Sequence, residues 1–135
     1  METVVMLLNI SQHSDQTLQE QIIGQIRNRI LRGELKPDEP LTSIRELSQK
    51  LKVAVNTVQR AYEHLLHEGL VYARQGKGFF VVPLEAGDRV RIARQRFTDS
   101  LRTLMAETRH EGLLDEREMK KIFGQVQNGT EDSDA

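Results

Sequence analysis

Apolar residues in the first third of the chain recur every four positions: Leu18, Ile22, Ile26 and Ile30. That spacing predicts an α-helix with one buried stripe. Asp15 is placed as its N-cap and Gly33 as its stop. After a loop bracketed by Pro37 and Pro40, Ser43 opens a second helix, and Glu46 three residues on completes a capping box. Ile44, Leu47 and Leu51 form its inner face. The stretch "KVAV" turns the corner, and a third helix begins at Ala54 or Asn56, runs to about Glu68 and stops at Gly69. It carries Val58, Ala61, Tyr62 and Leu65 on one side and Asn56, Thr57, Gln59 and Arg60 mostly elsewhere. Val55 is an anomaly: an aliphatic residue where an exposed helix start would carry a polar one.

Beyond Gly69 the period changes from helical to alternating. In "LVYAR", Leu70, Tyr72 and Arg74 fall on one strand face, Val71 and Ala73 on the other. "QGKG" supplies glycines for a reversal, and "FFVV" returns as a second strand. A short helix followed closely by a polar-faced one is a helix-turn-helix arrangement, and the appended hairpin makes it winged. After Pro83, Ala86, Val90, Ala93, Phe97, Leu101 and Leu104 follow one another at intervals of 4, 3, 4, 4 and 3 residues, close to a heptad repeat. "RHEG" ends that helix, and Asp115 with Glu118 caps a last one lined by Met119, Ile122, Phe123 and Val126. Two helices of this size cannot bury both stripes between themselves, so a second copy of the same pair is the expected cover.

The expected fold is therefore mainly α with a small β wing (α+β). A winged helix-turn-helix occupies residues 1–83, a helical dimerisation element residues 84–127 and a disordered tail residues 128–135. The opening "METVVMLLNI" is too short for a membrane span, lacks the marks of a secretory signal and reads as a strand. The acidic, apolar-poor "NGTEDSDA" reads as disordered, and its sequon as chance.

Charge sharpens this picture only locally. The whole chain carries −1, but residues 16–82 hold ten Lys/Arg against seven acids, a balance of +3 between flanks of −2 each. A mildly basic centre suits a nucleic-acid-facing module without establishing one. The absence of cysteine excludes disulfides and thiolate metal sites and suits the cytoplasm.

Across residues 17–82 the resemblance to a known family is specific. "ILRGEL", "LTSIRELSQKL", "NTVQRAYEHL" and "EGLVYARQGKGFFV" stand in the order and spacing of the winged-helix domain of the GntR family of bacterial transcription regulators. The residues after Pro83 are too few for the ligand-binding domains of other subgroups and resemble the YtrA-type subgroup, whose C-terminal part mainly dimerises. The resemblance implies DNA contacts by Arg45, Val55, Asn56, Thr57, Gln59, Arg60, Gln75, Gly76 and Lys77, and a dimer held through Val90, Phe97, Leu101, Leu104, Ile122 and Phe123. It implies a repressor that binds a pseudo-palindromic operator on double-stranded DNA as a homodimer, with an unidentified small-molecule effector as a further candidate partner.

The chain departs from the family pattern at Thr42, where Pro is usual. It departs again at Ala54 and Val55, where Ser or Thr and then Arg are usual, and at Gln59, where Arg is frequent. Two guanidinium groups that would reach phosphate or guanine are thus absent. That loss motivates an alternative reading as a protein-interaction module with weak or non-specific DNA binding.

Each remaining residue has chemistry that DNA can use. Arg45 and Lys77 neutralise phosphates, Asn56 or Gln59 pairs with adenine, and Thr57 bonds a phosphate or meets a thymine methyl. Gly76 lets the wing backbone approach a sugar-phosphate strand.

Other chemistry finds little support in the sequence. His64 and His67, three apart beside Glu63 and Glu68, have a spacing that can hold a metal, but read as exposed unliganded histidines. "QGKG" lacks the spacing and the following helix of a phosphate loop. No nucleophile–base pair or carboxylate pair stands out, so no enzyme, cofactor or metal site is expected.

Overall fold

The computed structural model describes residues 8–129. The elements are α1 (Leu18–Leu31), α2 (Ile44–Leu51), α3 (Val55–His67), β1 (Val71–Arg74), β2 (Gly78–Val81), α4 (Ala86–Glu111) and α5 (Glu116–Gln127). Among the described residues, five helices with one two-stranded antiparallel sheet make the mainly α fold with a β wing that the periodicity predicts. Most of the strand expected at the N-terminus lies outside the described residues, and Leu8, Asn9 and Ile10 have no regular secondary structure. Of the expected disordered tail, residues 130–135 also lie outside them. The chain divides into two compact units, Met1–Ile92 and Ala93–Ala135.

In the first unit, the N-cap of α1 lies two residues beyond the expected Asp15. Thr17 is the N-cap: its hydroxyl accepts from the Glu20 N–H at 3.0 Å, and the Glu20 carboxylate accepts from the Thr17 N–H at 3.3 Å. This reciprocal box satisfies two helix-end donors, where Asp15 would satisfy one at most. Gly33 terminates the helix as expected, with φ at +79°. A Cβ at Gly33 would lie 3.1 Å from a guanidinium nitrogen of Arg89, a flexible group that could shift, so the positive φ is what selects glycine here. α2 is capped by Ser43, whose hydroxyl accepts from the Glu46 N–H at 3.1 Å. Lys52, with φ at +57°, makes the left-handed turn that lets α3 follow at once.

The core of this unit is aliphatic. Ile22, Ile26 and Ile30 of α1 meet Leu47 of α2, Val58 and Leu65 of α3, and Leu70, Val71 and Val81 around the sheet. Each fully buried side chain of this kind stabilises the fold by roughly 1.5–3 kcal/mol before chain entropy is counted. Tyr62 is buried with them: its hydroxyl donates to the Thr42 carbonyl at 2.6 Å, and its ring meets Phe79 edge-on at 5.3 Å. Burial, with the nearby Glu46 carboxylate as a second cause, pushes the Tyr62 phenol far above its ordinary range. Thr42, the departure from the family's Pro, thus sits fully buried at the α2 entry and holds α3 through its carbonyl. Arg27 and Glu68 tie α1 to the end of α3 by a two-pronged ion pair with contacts of 2.8 and 3.1 Å.

Two further attachments escaped the periodicity. The loop before α2 joins the wing: Asp38 N–H donates to Val81 O at 2.8 Å, Val81 N–H to Glu39 O at 2.9 Å, and Leu41 N–H to Phe79 O at 2.8 Å. The segment before α1 is held by glutamine amides that imitate a neighbouring strand. Gln25 both accepts from Asn9 N–H and donates to Asn9 O, at 2.8 and 2.7 Å, and Gln21 does the same to Ser11. Ile92, outside the heptad positions of α4, is buried in the same core, so the start of α4 belongs to this unit.

In the second unit, Gly112 with φ at +74° ends α4. Asp115 caps α5 by accepting from the Glu118 N–H at 2.8 Å, as the sequence predicts. Arg109 pairs with Glu116 across the turn at 3.1 Å. No residue of α5 is buried.

Candidate nucleic-acid interface

The start of α3 is built from local conflicts. Its N-cap is Ala54, which has no side-chain oxygen to accept a bond from the first turn, whereas Thr17, Ser43 and Asp115 each supply one elsewhere. Val55, the first helical residue, is 50% exposed. Asn56, Gln59 and Arg60 are exposed and Thr57 half-buried, while Val58, Ala61, Tyr62 and Leu65 on the inner side are buried. The helix thus has a fully committed core face and an otherwise polar outer face, interrupted by Val55 at its start and by the exposed Leu66 near its end.

Asn56, Thr57 and Arg60 line a groove of about 540 Å³ whose other wall is the first turn of α1, with Thr17, Gln19 and Glu20. The capping box "TLQE" marks where α1 begins, but that its first turn faces the start of α3 follows only from the packing of the two helices. Gln59 is not idle in the free protein, since its amide N–H donates to the Glu63 carboxylate at 3.2 Å. The amide nitrogen carries a second N–H, which remains for an external acceptor.

Arg45 lies exposed on α2. Gln75, Gly76 and Lys77 form the exposed wing tip, closed by a Lys77 N–H to Arg74 O bond of 2.9 Å. Gly76 has φ at +74°, which the third residue of this turn demands of glycine or asparagine. A Cβ there would meet nothing within 4 Å, so in the free protein its backbone conformation, not crowding, selects glycine. Behind the tip, the Tyr72 and Phe80 rings stack at 5.6 Å, Arg74 lies over Phe80 at 5.5 Å from the ring centre, and the Tyr72 hydroxyl donates to Asp38 at 2.6 Å. That hydrogen bond, more than any burial, raises the Tyr72 phenol above its ordinary pKa. The wing is thereby braced on both sides, by this ladder and by the loop before α2.

The cations are distributed unevenly in their pairing. Arg27, Arg91, Arg102 and Arg109 each face a carboxylate. Among the described residues Arg45, Arg60 and Lys77 have no ion-pair partner within 4 Å, as is also true of the exposed Lys50, Lys52, Arg94 and Arg96, and this leaves their charge available to an external anion. His64 bonds Glu68 at 3.3 Å, beside the Arg27 ion pair, and belongs to the link between α1 and α3. Among the described residues no three His, Asp or Glu groups converge, and no helix is long and apolar enough to cross a membrane.

Of the residues expected at a dimer contact, Val90, Phe97, Leu104, Ile122 and Phe123 are exposed, and Leu101 is half-buried.

Comparison with known proteins places this geometry. The model for "Bacterial regulatory proteins, gntR family" matches residues 18–81, from the first residue of α1 to the last of β2. The HTH-type transcriptional repressor YtrA of Bacillus subtilis is 28% identical over 126 residues, covering 91% of this chain and 97% of that repressor. The HTH-type transcriptional repressor NagR of the same bacterium is 39% identical over 74 residues, which are 55% of this chain and only 30% of NagR. Among solved structures, YtrA from Sulfolobus acidocaldarius, a GntR-family transcription factor, superposes with a TM-score of 0.54 at 33% identity, over 68% of this chain and 97% of that one. With helix-turn-helix and wing both inside the matched segment, and one position in three shared along nearly the whole of that factor, the chain belongs to the GntR family of bacterial regulatory proteins.

Proposed function

We propose that the protein is a YtrA-like repressor that binds a pseudo-palindromic DNA operator as a homodimer in the cytoplasm. In each copy α3 enters a major groove and the wing tip follows the adjoining backbone. The observation that carries this reading is the set of unpaired, exposed cations Arg45, Arg60 and Lys77 on α2, α3 and the wing, flanking the polar face of α3. Phosphates supply the missing counter-charge, and base edges meet Asn56, Gln59 and Thr57. The exposed apolar residues of α4 and α5 support a second copy as the partner, since α5 buries nothing by itself.

A footprint on the promoter of the protein's own operon, followed by titration at several salt concentrations, tests the proposal. Specific binding has to persist above the level seen on random DNA; equal affinity for both at every salt concentration favours the protein-interaction reading instead. Within that assay the contacts separate by kind. Arg45→Ala and Lys77→Ala weaken binding on all sequences and reduce the salt slope by about one per contact and half-site. Asn56→Ala and Gln59→Ala relax preference at particular base pairs, by roughly 1–3 kcal/mol for each lost bidentate contact. Uniform losses on operator and random DNA for the α3 variants remove that helix from the reading role.

Val55 offers an independent check. Because it is half exposed at a helix start, Val55→Arg leaves the melting temperature nearly unchanged, within about 0.5 kcal/mol of stability. Non-specific affinity rises and its salt dependence steepens, as expected for an added phosphate contact in each half-site. A sharp drop in melting temperature without any gain in DNA affinity defeats this placement.

A further inference from the structure

Val55 breaks two local preferences at once. A β-branched residue is a weak helix former, and the first turn of a helix rewards polar or acidic side chains. Burial, the usual compensation, is incomplete: half of Val55 faces solvent, and the Ala54 that precedes it is exposed and provides no cap. Val53 and Val58 on either side serve the core, Val58 completely. A sequence that contradicts its local structure without a packing return marks a functional position.

The neighbours narrow the function. Val55 lies four residues before Gln59, so the two share a face of α3 one turn apart. It also adjoins the exposed Asn56. An aliphatic side chain cannot hydrogen-bond a base edge or attract a phosphate. In the major groove it has one complementary feature, the methyl group on C5 of a pyrimidine, carried by thymine and by 5-methylcytosine.

We propose that Val55 reads a pyrimidine C5 methyl in each half-site, next to the base pairs faced by Asn56 and Gln59. The inference rests on the DNA-reading role of α3 proposed above. It predicts a preference for thymine at one defined position where an arginine would select guanine.

The test uses the full-length protein and duplexes enriched by it from a randomised pool. An enriched duplex is resynthesised with deoxyuridine replacing thymidine at one position at a time, which removes the methyl and leaves base pairing intact. One thymine in each half-site is expected to lose roughly fourfold in affinity on replacement, the effect of one methyl-sized apolar contact. The Val55→Ala variant, whose melting temperature serves as the folding control, is expected to bind the thymine and uracil duplexes equally. Placing 5-methylcytosine or cytosine opposite guanine at that position identifies the source of the methyl. A gain from methylation shows that any C5 methyl suffices, and no gain shows that thymine itself is required; the contact stands either way if the uracil effect is present. A uracil effect found nowhere, or one that survives unchanged in Val55→Ala, overturns the inference while leaving the regulator reading intact. Failure of the pool to enrich any sequence overturns the reading of DNA by α3, and this inference with it.

Discussion

Leu101→Asp is expected to yield a monomer by light scattering and to lower operator affinity by about two or more orders of magnitude. Leu101 lies in the heptad run of α4 with Val90, Phe97 and Leu104, all three exposed, and is itself only half-buried. A carboxylate at the centre of an apolar contact between copies has to be desolvated without a partner, a penalty of several kcal/mol. The loss in DNA binding is larger than any single contact explains, because joining two half-site readers multiplies their affinity by about 10²–10⁴ through effective concentration alone. Phe123→Asp, on the apolar side of α5, provides the parallel case: Phe123 is 46% exposed and α5 contains no buried residue. Both variants should keep the melting behaviour of the winged-helix unit, whose core excludes these positions. If both remain dimeric at micromolar concentration, the contact between copies lies elsewhere.

The second large effect is on stability. Leu47→Ala should destabilise the winged-helix unit by about 2–5 kcal/mol, the range for truncating a fully buried leucine. For a unit of this size that corresponds to a fall in melting temperature of roughly 10–40 °C. α2 has only eight residues, and Leu47 and Ser48 are its buried ones, so a helix too short to persist alone depends on Leu47 for its docking. Arg45, two positions earlier and exposed, depends on the same docking for its placement. Operator affinity should therefore fall even below the new melting temperature. Leu47→Met, which conserves volume, should cost less than about 1.5 kcal/mol and retain binding. A Leu47→Ala protein that melts with the wild type shows that α2 is held by other contacts.

What could be read from the sequence alone was whatever neighbours in the chain decide. The four-residue recurrence of Leu18, Ile22, Ile26 and Ile30 determined α1, and Ser43 with Glu46 determined the start of α2. Gly33, Gly69 and Gly112 stop their helices at positive φ, a conformation that glycine alone adopts without strain. The same local logic located the polar face of α3 and the turn at Gly76, whereas Arg45 was singled out through the family resemblance. It failed by two residues at the start of α1, where Asp15 was an eligible cap but Thr17 with Glu20 forms the better, two-bond one.

Tertiary structure decided the features that join distant parts of the chain. The heptad spacing of α4 concealed Ile92, which lies off that stripe and enters the core of the first unit. No pattern within residues 38–41 announces that they pair with β2, or that Gln21 and Gln25 hold the chain before α1. The groove between the starts of α1 and α3, and the exposure of Val55, likewise depend on how helices far apart in sequence pack. Periodicity says which side of an element is apolar. It cannot say what covers that side, because burial is settled by the surface that long-range packing brings to it, and each such contact must repay the chain entropy lost in closing its loop.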